Sequence, residues 1–139
     1  MQVNRIFQSY TRTDWLQDFL LASSNGIDGF ILNIGRESWE PDRIATAFNT
    51  VRELNFKLCI SFDMTSLSGS QSSDFLPFRK YVQSYGIHPN YARVDGKPLV
   101  TTFSGEHSTF GTRNPTEGWK YVLAQLPPVC GIFHFNPNI

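Results

Sequence analysis

The sequence predicts an α/β fold: a partial (β/α) TIM-type barrel with about five parallel strands alternating with four helices. Two observations carry this. β-rich runs and amphipathic stripes alternate along the 139-residue chain, which is how parallel strands joined by crossover helices read. Three of the runs, 29–35, 58–64 and 99–106, also turn polar at their C-terminal ends, the side of a parallel barrel that carries chemistry. A complete eight-stranded barrel needs about 250 residues, and at least about 200. The pattern therefore fits either an open five-stranded sheet or the first half or more of a barrel. The Gly-rich phosphate loop that open doubly wound sheets often carry is missing.

Each element has a local cause. Residues 5–10 form a weak first strand. Thr13 can cap a helix with Trp15, Leu16, Phe19 and Leu20 on one face, ended by Asn25-Gly26. Residues 28–34 are the second strand. Pro41 suits the first turn of the next helix, whose stripe is Ile44, Phe48, Val51 and Leu54. Residues 56–63 are the third strand, and 66–73 a polar loop. A helix over 74–85 follows, with Phe78, Tyr81, Val82 and Tyr85 inward and Gly86 at its end. Asp95-Gly96 is a turn signal between a short strand at 91–94 and the fourth main strand, 98–104. Asn114-Pro115-Thr116-Glu117 supplies a cap, a first-turn proline and a capping Glu. Trp119, Val122, Leu123 and Leu126 form that helix's stripe, and Pro127-Pro128 stops it. Residues 130–136 are the fifth strand. No linker or repeat interrupts the series, so 1–139 reads as one domain.

Composition narrows the function. The formal net charge is zero, with Lys and Arg scattered, so the basic stripe of a nucleic-acid binder is missing. No apolar run is long enough to span a bilayer, and no basic amphipathic helix suggests a membrane surface. The N-terminus does not read as a signal peptide. Cys59 and Cys130 make neither a metal spacing nor a disulfide framework, and both read as buried thiols. Aromatic residues are abundant at 14%, twelve of them Phe, and serve mainly as core bulk.

Side chains alternate along a strand, so each run can be divided into two faces. Gly29, Ile31 and Asn33 oppose Phe30, Leu32 and Ile34. Cys59, Ser61 and Asp63 oppose Leu58, Ile60 and Phe62. By the same logic Val100, Thr102, Ser104 and Glu106 are expected on the inner face, as are Ile132, His134 and Asn136. The candidate binding residues are then Asn33, Asp63, Ser104, Glu106, His134 and Asn136, with Trp39 as an aromatic platform beside them. Carboxylates and amides grip a neutral, hydroxyl-rich ligand. A phosphorylated one would want Lys or Arg, and none stands at these ends. Each residue also has a plainer role: Asp63 as a loop cap, Glu106 as a solvated charge, Asn33 as a turn residue before Gly35, His134 as a hydrogen-bonded interior group, Trp39 as packing on the next helix.

The segment Gly26-Ile27-Asp28-Gly29-Phe30-Ile31-Leu32-Asn33-Ile34-Gly35 resembles the Gly-Ile-Asp-Gly-Phe-Ala-Leu-Asn segment of the fungal α-1,3-glucanases, or mutanases, of glycoside hydrolase family 71. The resemblance continues through Pro41-Asp42-Arg43-Ile44-Ala45, Phe56-Lys57-Leu58-Cys59-Ile60-Ser61-Phe62-Asp63-Met64 and Gly96-Lys97-Pro98-Leu99-Val100-Thr101-Thr102-Phe103-Ser104-Gly105-Glu106. It implies the N-terminal portion of a barrel enzyme acting on α-1,3-glucan of fungal cell walls, with no metal or organic cofactor and an extracellular or wall location. Asn33, Asp63 and Glu106 correspond to strand-end residues of that family. The sequence departs from the family in two places. Ser9-Tyr10 stands where the first strand typically carries His-Tyr. The Trp-Asn-Asp-Tyr-Gly-Glu-Ser-like segment that bears the likely catalytic carboxylates in the family has no counterpart here. Glycoside hydrolysis ordinarily takes two carboxyl groups, and Asp63 with Glu106 is the pair these residues offer in its place. The resemblance leaves two further expectations: a glucan binder without catalysis, and a half-barrel that associates through its open strand edges.

Overall fold

The computed structural model describes residues 8–136. Its elements in order are α1 (Arg12–Ser24), β1 (Gly29–Ile34), α2 (Glu40–Val51), β2 (Lys57–Asp63), a 3-10 turn (Ser72–Phe75), α3 (Leu76–Tyr85), β3 (Arg93–Val94), β4 (Lys97–Pro98), β5 (Val100–Phe103), α4 (Pro115–Gln125) and β6 (Ile132–Phe135). The main sheet has the order β1-β2-β5-β6, every pair parallel. Strands thus neighbour one another in chain order, with a helical crossover between each pair, the (β/α) arrangement of a partial barrel. Among the described residues four strands make up this sheet. Of the expected first strand, residues 5–7 lie outside the described residues, and Gln8–Ser9 form a turn.

The helices begin where capping chemistry allows. α1 starts two residues earlier than Thr13 suggests. Thr11 is the cap because Asp14, three residues on, closes a capping box with it, satisfying two helix-end donors at once. The buried face of α1 is Trp15, Phe19 and Ala22, while Leu20 is half exposed, so the stripe is rotated from the expected one. At α4, Asn114 accepts from the Glu117 N–H at 2.9 Å, as its sequence implies. Asp95 and Gly96 both take positive φ, 50° and 78°, forming the two-residue turn that joins β3 to β4.

The core lies between the sheet and the helices. Leu32, Ile34, Leu58, Ile60, Phe62 and Val100 pack from the sheet against Phe19, Ile44, Phe48, Val51, Phe78, Val82 and Val122 from the helices. Aromatic pairs tie the layers together, with Phe62 on Phe78 at 4.1 Å and Phe48 on Tyr85 at 4.5 Å between centroids. No helix among the described residues is long and apolar enough to cross a membrane.

The register corrects the expected faces of the last two strands. Ile60 pairs with Val100, Phe62 with Thr102, and these in turn with Ile132 and His134. Paired residues in a parallel sheet share a face. Val100, Thr102, Ile132 and His134 therefore join Ile60 and Phe62 on the helix side, and Thr101, Phe103, Phe133 and Phe135 join Ser61 and Asp63 on the other. The physical reason is packing: fully buried Val100 and partly buried Ile132 fill the layer beneath the helices. Thr102 and His134, the polar members of that layer, satisfy each other through an Oγ1–Nδ1 bond of 2.6 Å.

Candidate functional site

At the C-terminal ends of β1 and β2 the structure brings several expected residues together. Asn33 Nδ2 donates to Asp63 Oδ2 at 3.5 Å, the long edge of a hydrogen bond. Asp63 Oδ1 accepts from the Thr65 N–H at 3.0 Å and its hydroxyl at 2.6 Å, the local cap that Asp favours after a strand. Asp63 thus has one oxygen held by its own loop and the other facing Asn33. Asn33, Trp39 and Asp63 share the wall of a cavity of about 480 Å³ with Trp15, Asp18, Glu40, Arg43 and Phe103. That volume lies within the usual range for small-ligand sites.

Glu40 is the residue of this wall that sequence reading missed. It opens α2, where an acidic residue reads simply as a favourable partner of the helix dipole. In the structure it is 4% exposed, and its Oε2 accepts from the Gly35 N–H at 2.6 Å. Burial pushes its carboxyl pKa up; the Gly35 and Glu37 N–H groups oppose this, and the Asp63 charge adds to it. The neighbouring loops are joined by the Arg36 N–H donating to Ser66 Oγ at 3.2 Å. On the far side Arg43 Nη1 donates to the Tyr10 carbonyl at 2.8 Å. The Tyr10 hydroxyl donates to Asp18 at 2.7 Å, a bond that pushes the phenol up to about 12.

The remaining candidates gather at the ends of β5 and β6. Ser104 takes a left-handed φ of 55°, and its N–H donates to the Phe135 carbonyl at 2.9 Å. Glu106 Oε1 accepts from Asn136 Nδ2 at 2.9 Å and lies 3.8 Å from His107 Nε2. Its Oε2 is shut off from solvent and accepts no hydrogen bond among the described residues. His134 lays its ring on Trp119 at 4.7 Å between centroids. Burial against that surface pushes the imidazole pKa down, and the Glu106 charge partly offsets the shift. Trp119 Nε1 donates to the Gly105 carbonyl at 2.8 Å, fixing the turn that carries Glu106. Ser104, Glu106, His134 and Asn136 are absent from the wall of the Asp63 cavity. The expected candidates thus divide into a group that lines this cavity and a group that gathers outside its wall. Among the described residues no group of three His, Cys, Asp or Glu side chains converges as metal ligands would. Cys59 is buried and its thiol pushed up to about 11 by that burial.

Comparison with solved structures supports the barrel architecture. Two structures of the GH99 endo-alpha-mannosidase from Bacteroides thetaiotaomicron superpose with TM-scores of 0.58 and 0.56 at 14% and 15% identity. They cover 68% and 67% of this chain and 30% and 27% of theirs. At that identity the likeness speaks for the fold alone. Sequence relatives are nearer. A glucan endo-1,3-alpha-glucosidase of Schizosaccharomyces pombe is 39% identical over 132 residues, 93% of this chain and 30% of that protein. A mutanase of Penicillium rubens is 33% identical over 102 residues, 73% of this chain and 22% of that protein. The chain therefore spans less than a third of the length of these relatives. The model of glycosyl hydrolase family 71 matches residues 2–132, nearly the whole of the alternating strands and helices described above, and the chain belongs to that family.

Proposed function

We propose that these residues form the N-terminal part of a (β/α) glycosidase barrel and hold α-1,3-glucan without cleaving it on their own. Asn33, Asp63 and Trp39 bind the glucan at the cavity, and Glu106 with Asn136 extends the polar surface along the strand ends. Ser104 and His134 support that second locus. The observation that carries this reading is the Asn33–Asp63 pair, set by neighbouring parallel strands at the mouth of a cavity with an indole in its wall. An amide, a carboxylate and an aromatic face together suit a neutral pyranose, whose hydroxyls need fixed acceptors and whose ring needs an apolar platform. Hydrolysis ordinarily uses two carboxyls that act across one bond. Glu106 is absent from the wall of the cavity that Asp63 lines, which favours binding over catalysis. The place of action follows the ligand: the cell wall or its exterior.

Sedimentation with insoluble α-1,3-glucan tests this, alongside reducing-sugar release. The expected result is retention of the chain, loss of retention in Asp63→Asn, and no sugar release. A chain that stays in solution would overturn the reading. Release abolished by Asp63→Asn or Glu106→Gln would replace it with an enzyme using that pair.

A second reading rests on the open sheet. Ile31, Phe133 and Phe135 are about half exposed on the face that a closed barrel would cover, and β1 and β6 are the outermost strands of the sheet among the described residues. Unpaired edges recruit partners. Size-exclusion chromatography across a concentration series distinguishes association from a stable monomer.

A further inference from the structure

Arg43 reaches the cavity from the first turn of α2, and three acidic residues, Asp18, Glu40 and Asp63, share that wall with it. Even so, it enters no ion pair among the described residues. A guanidinium carries five N–H donors in a fixed plane and accepts nothing. Nη1 gives one of them to the Tyr10 carbonyl at 2.8 Å. Nε is shut off from solvent and donates to no acceptor among the described residues. An enclosed donor without an acceptor is destabilising, and an Arg withdrawn from water is ordinarily paired. The Tyr10 carbonyl explains where one arm of the fork points. It does not explain why the rest of the side chain forms cavity wall instead of closing on a carboxylate.

We infer that Arg43 is the hydrogen-bond donor of this pocket, giving the N–H groups that Tyr10 leaves unused to hydroxyl oxygens of the pyranose unit that Asp63 and Trp39 hold. The inference rests on the glucan reading above and adds to it the donor half of the contact. Sugar hydroxyls donate and accept at once. Asp63 Oδ2 beside Asn33 can take their hydrogens, while Asp18 Oδ2 is already engaged by the Tyr10 hydroxyl. Carboxylates cannot serve the hydroxyl oxygens, which lose their water on entering the cavity and need donors in its place. A guanidinium supplies several from one plane, and its charge strengthens each bond. A phosphate or carboxylate ligand fits less well, because three carboxyl groups on the same wall repel it.

The test is calorimetric titration of the 139-residue chain with a soluble α-1,3-linked glucotriose. Wild type, Arg43→Gln, Arg43→Lys and Asp63→Asn are compared, each with its urea unfolding curve. Arg43→Gln is expected to weaken binding about tenfold, as loss of a charge-assisted bond does. Arg43→Lys keeps the charge without the planar fork and should fall between it and wild type. Unchanged affinity in a folded Arg43→Gln chain, with binding lost in Asp63→Asn, would overturn the inference and leave the glucan reading standing; a lower unfolding midpoint alone would then mark Arg43 as a tie to Tyr10. No binding by wild type would remove the reading and the inference with it. Inorganic phosphate that binds wild type and displaces the trisaccharide would overturn the inference in favour of an anion site. If the Arg43 variants do not fold, the wild-type chain still decides the matter. The Arg43 Nε–H nitrogen and proton resonances should move as the trisaccharide is added, and resonances that stay in place while Trp39 responds would overturn the inference.

Discussion

At the ends of β1 and β2 the polar side chains turn toward an open cavity; at the ends of β5 and β6 they turn toward the helices and bond to one another. Asn33 and Asp63 retain acceptor capacity beside an indole, with the Glu40 carboxylate buried next to them. Thr102 and His134 complete each other beneath Trp119, while Phe133 and Phe135 take the opposite face. The contrast shows what strand alternation does and does not specify. A polar residue at every second position says that the faces differ. Which face meets the helices is decided by the residues that can fill the core. In β2 the larger apolar set and the core set coincide. In β5 and β6 the larger aromatics lie outside the core, and Val100 and Ile132 inside it.

Substitutions at the two ends should separate these roles, beginning with the largest effect. Gly105 sits where an added Cβ would collide with Thr102 Oγ1 and press on Trp119 and His134. Gly105→Ala should therefore cost about 1–3 kcal/mol of stability, the usual range for overpacking a filled site, read from urea unfolding. The equivalent change at the other end, Gly35→Ala, meets the Oγ and Cβ of Ser66; Ser66 stands in a loop that can shift, so the cost should be smaller. Equal costs would break the contrast between a packed end and an open one.

Thr102→Val comes next. It removes the partner of His134 Nδ1 while keeping the shape of the side chain. The expected loss is about 1–2 kcal/mol, that of a buried polar group left unpaired. Retention on α-1,3-glucan should persist, since Thr102 faces away from the cavity. Asp63→Asn should show the reverse: lost retention with little change in unfolding.

The smallest effects are those of pH, and they run in opposite directions at the two ends. Burial lowers the His134 pKa in the folded chain. Between that lowered value and the ordinary one of about 6.5, the unfolded chain holds a proton that the folded chain does not. Stability from this group is thus fully present above the unfolded value and falls as the pH drops through the window. His88 shifts in the same direction, through burial and the Arg52 charge, so His134→Gln should reduce this dependence without abolishing it. Burial raises the Glu40 pKa. Its contribution is fully present below its unfolded value and declines as the pH rises through the folded one. Glu40→Gln should therefore unfold at a higher temperature than wild type near neutrality and lose that advantage in acid. A variant equally stable at both pH values would show that the charge is not strained there.

Much of this was legible in the sequence because its signals are local. The Asn114 cap, the Asp95-Gly96 turn and the stripe Ile44, Phe48, Val51 each depend on neighbours a few residues away, and each stands in the structure as the sequence implies. The Asn33–Asp63 approach was also legible, since two strands of one form were expected side by side. Thr11 displaced Thr13 as a cap because the reciprocal bond of Asp14 decides between two threonines. Glu40 was not legible: an acidic residue in a first helical turn looks the same whether it meets water or a cavity, and only the fold over Gly35 closes it in. The faces of β5 and β6 escaped for the same reason: Ile60 and Phe62 set that of β5 from forty residues earlier, and β5 in turn sets that of β6.

The strand order has a consequence for how such a sheet is assembled. Because β1, β2, β5 and β6 lie side by side in the order of translation, each segment emerging from a ribosome finds its template already exposed and adds to the growing margin. No strand has to be inserted between two that have already paired. Chain synthesis and sheet growth can proceed in step, each arriving helix sealing the strand made just before it.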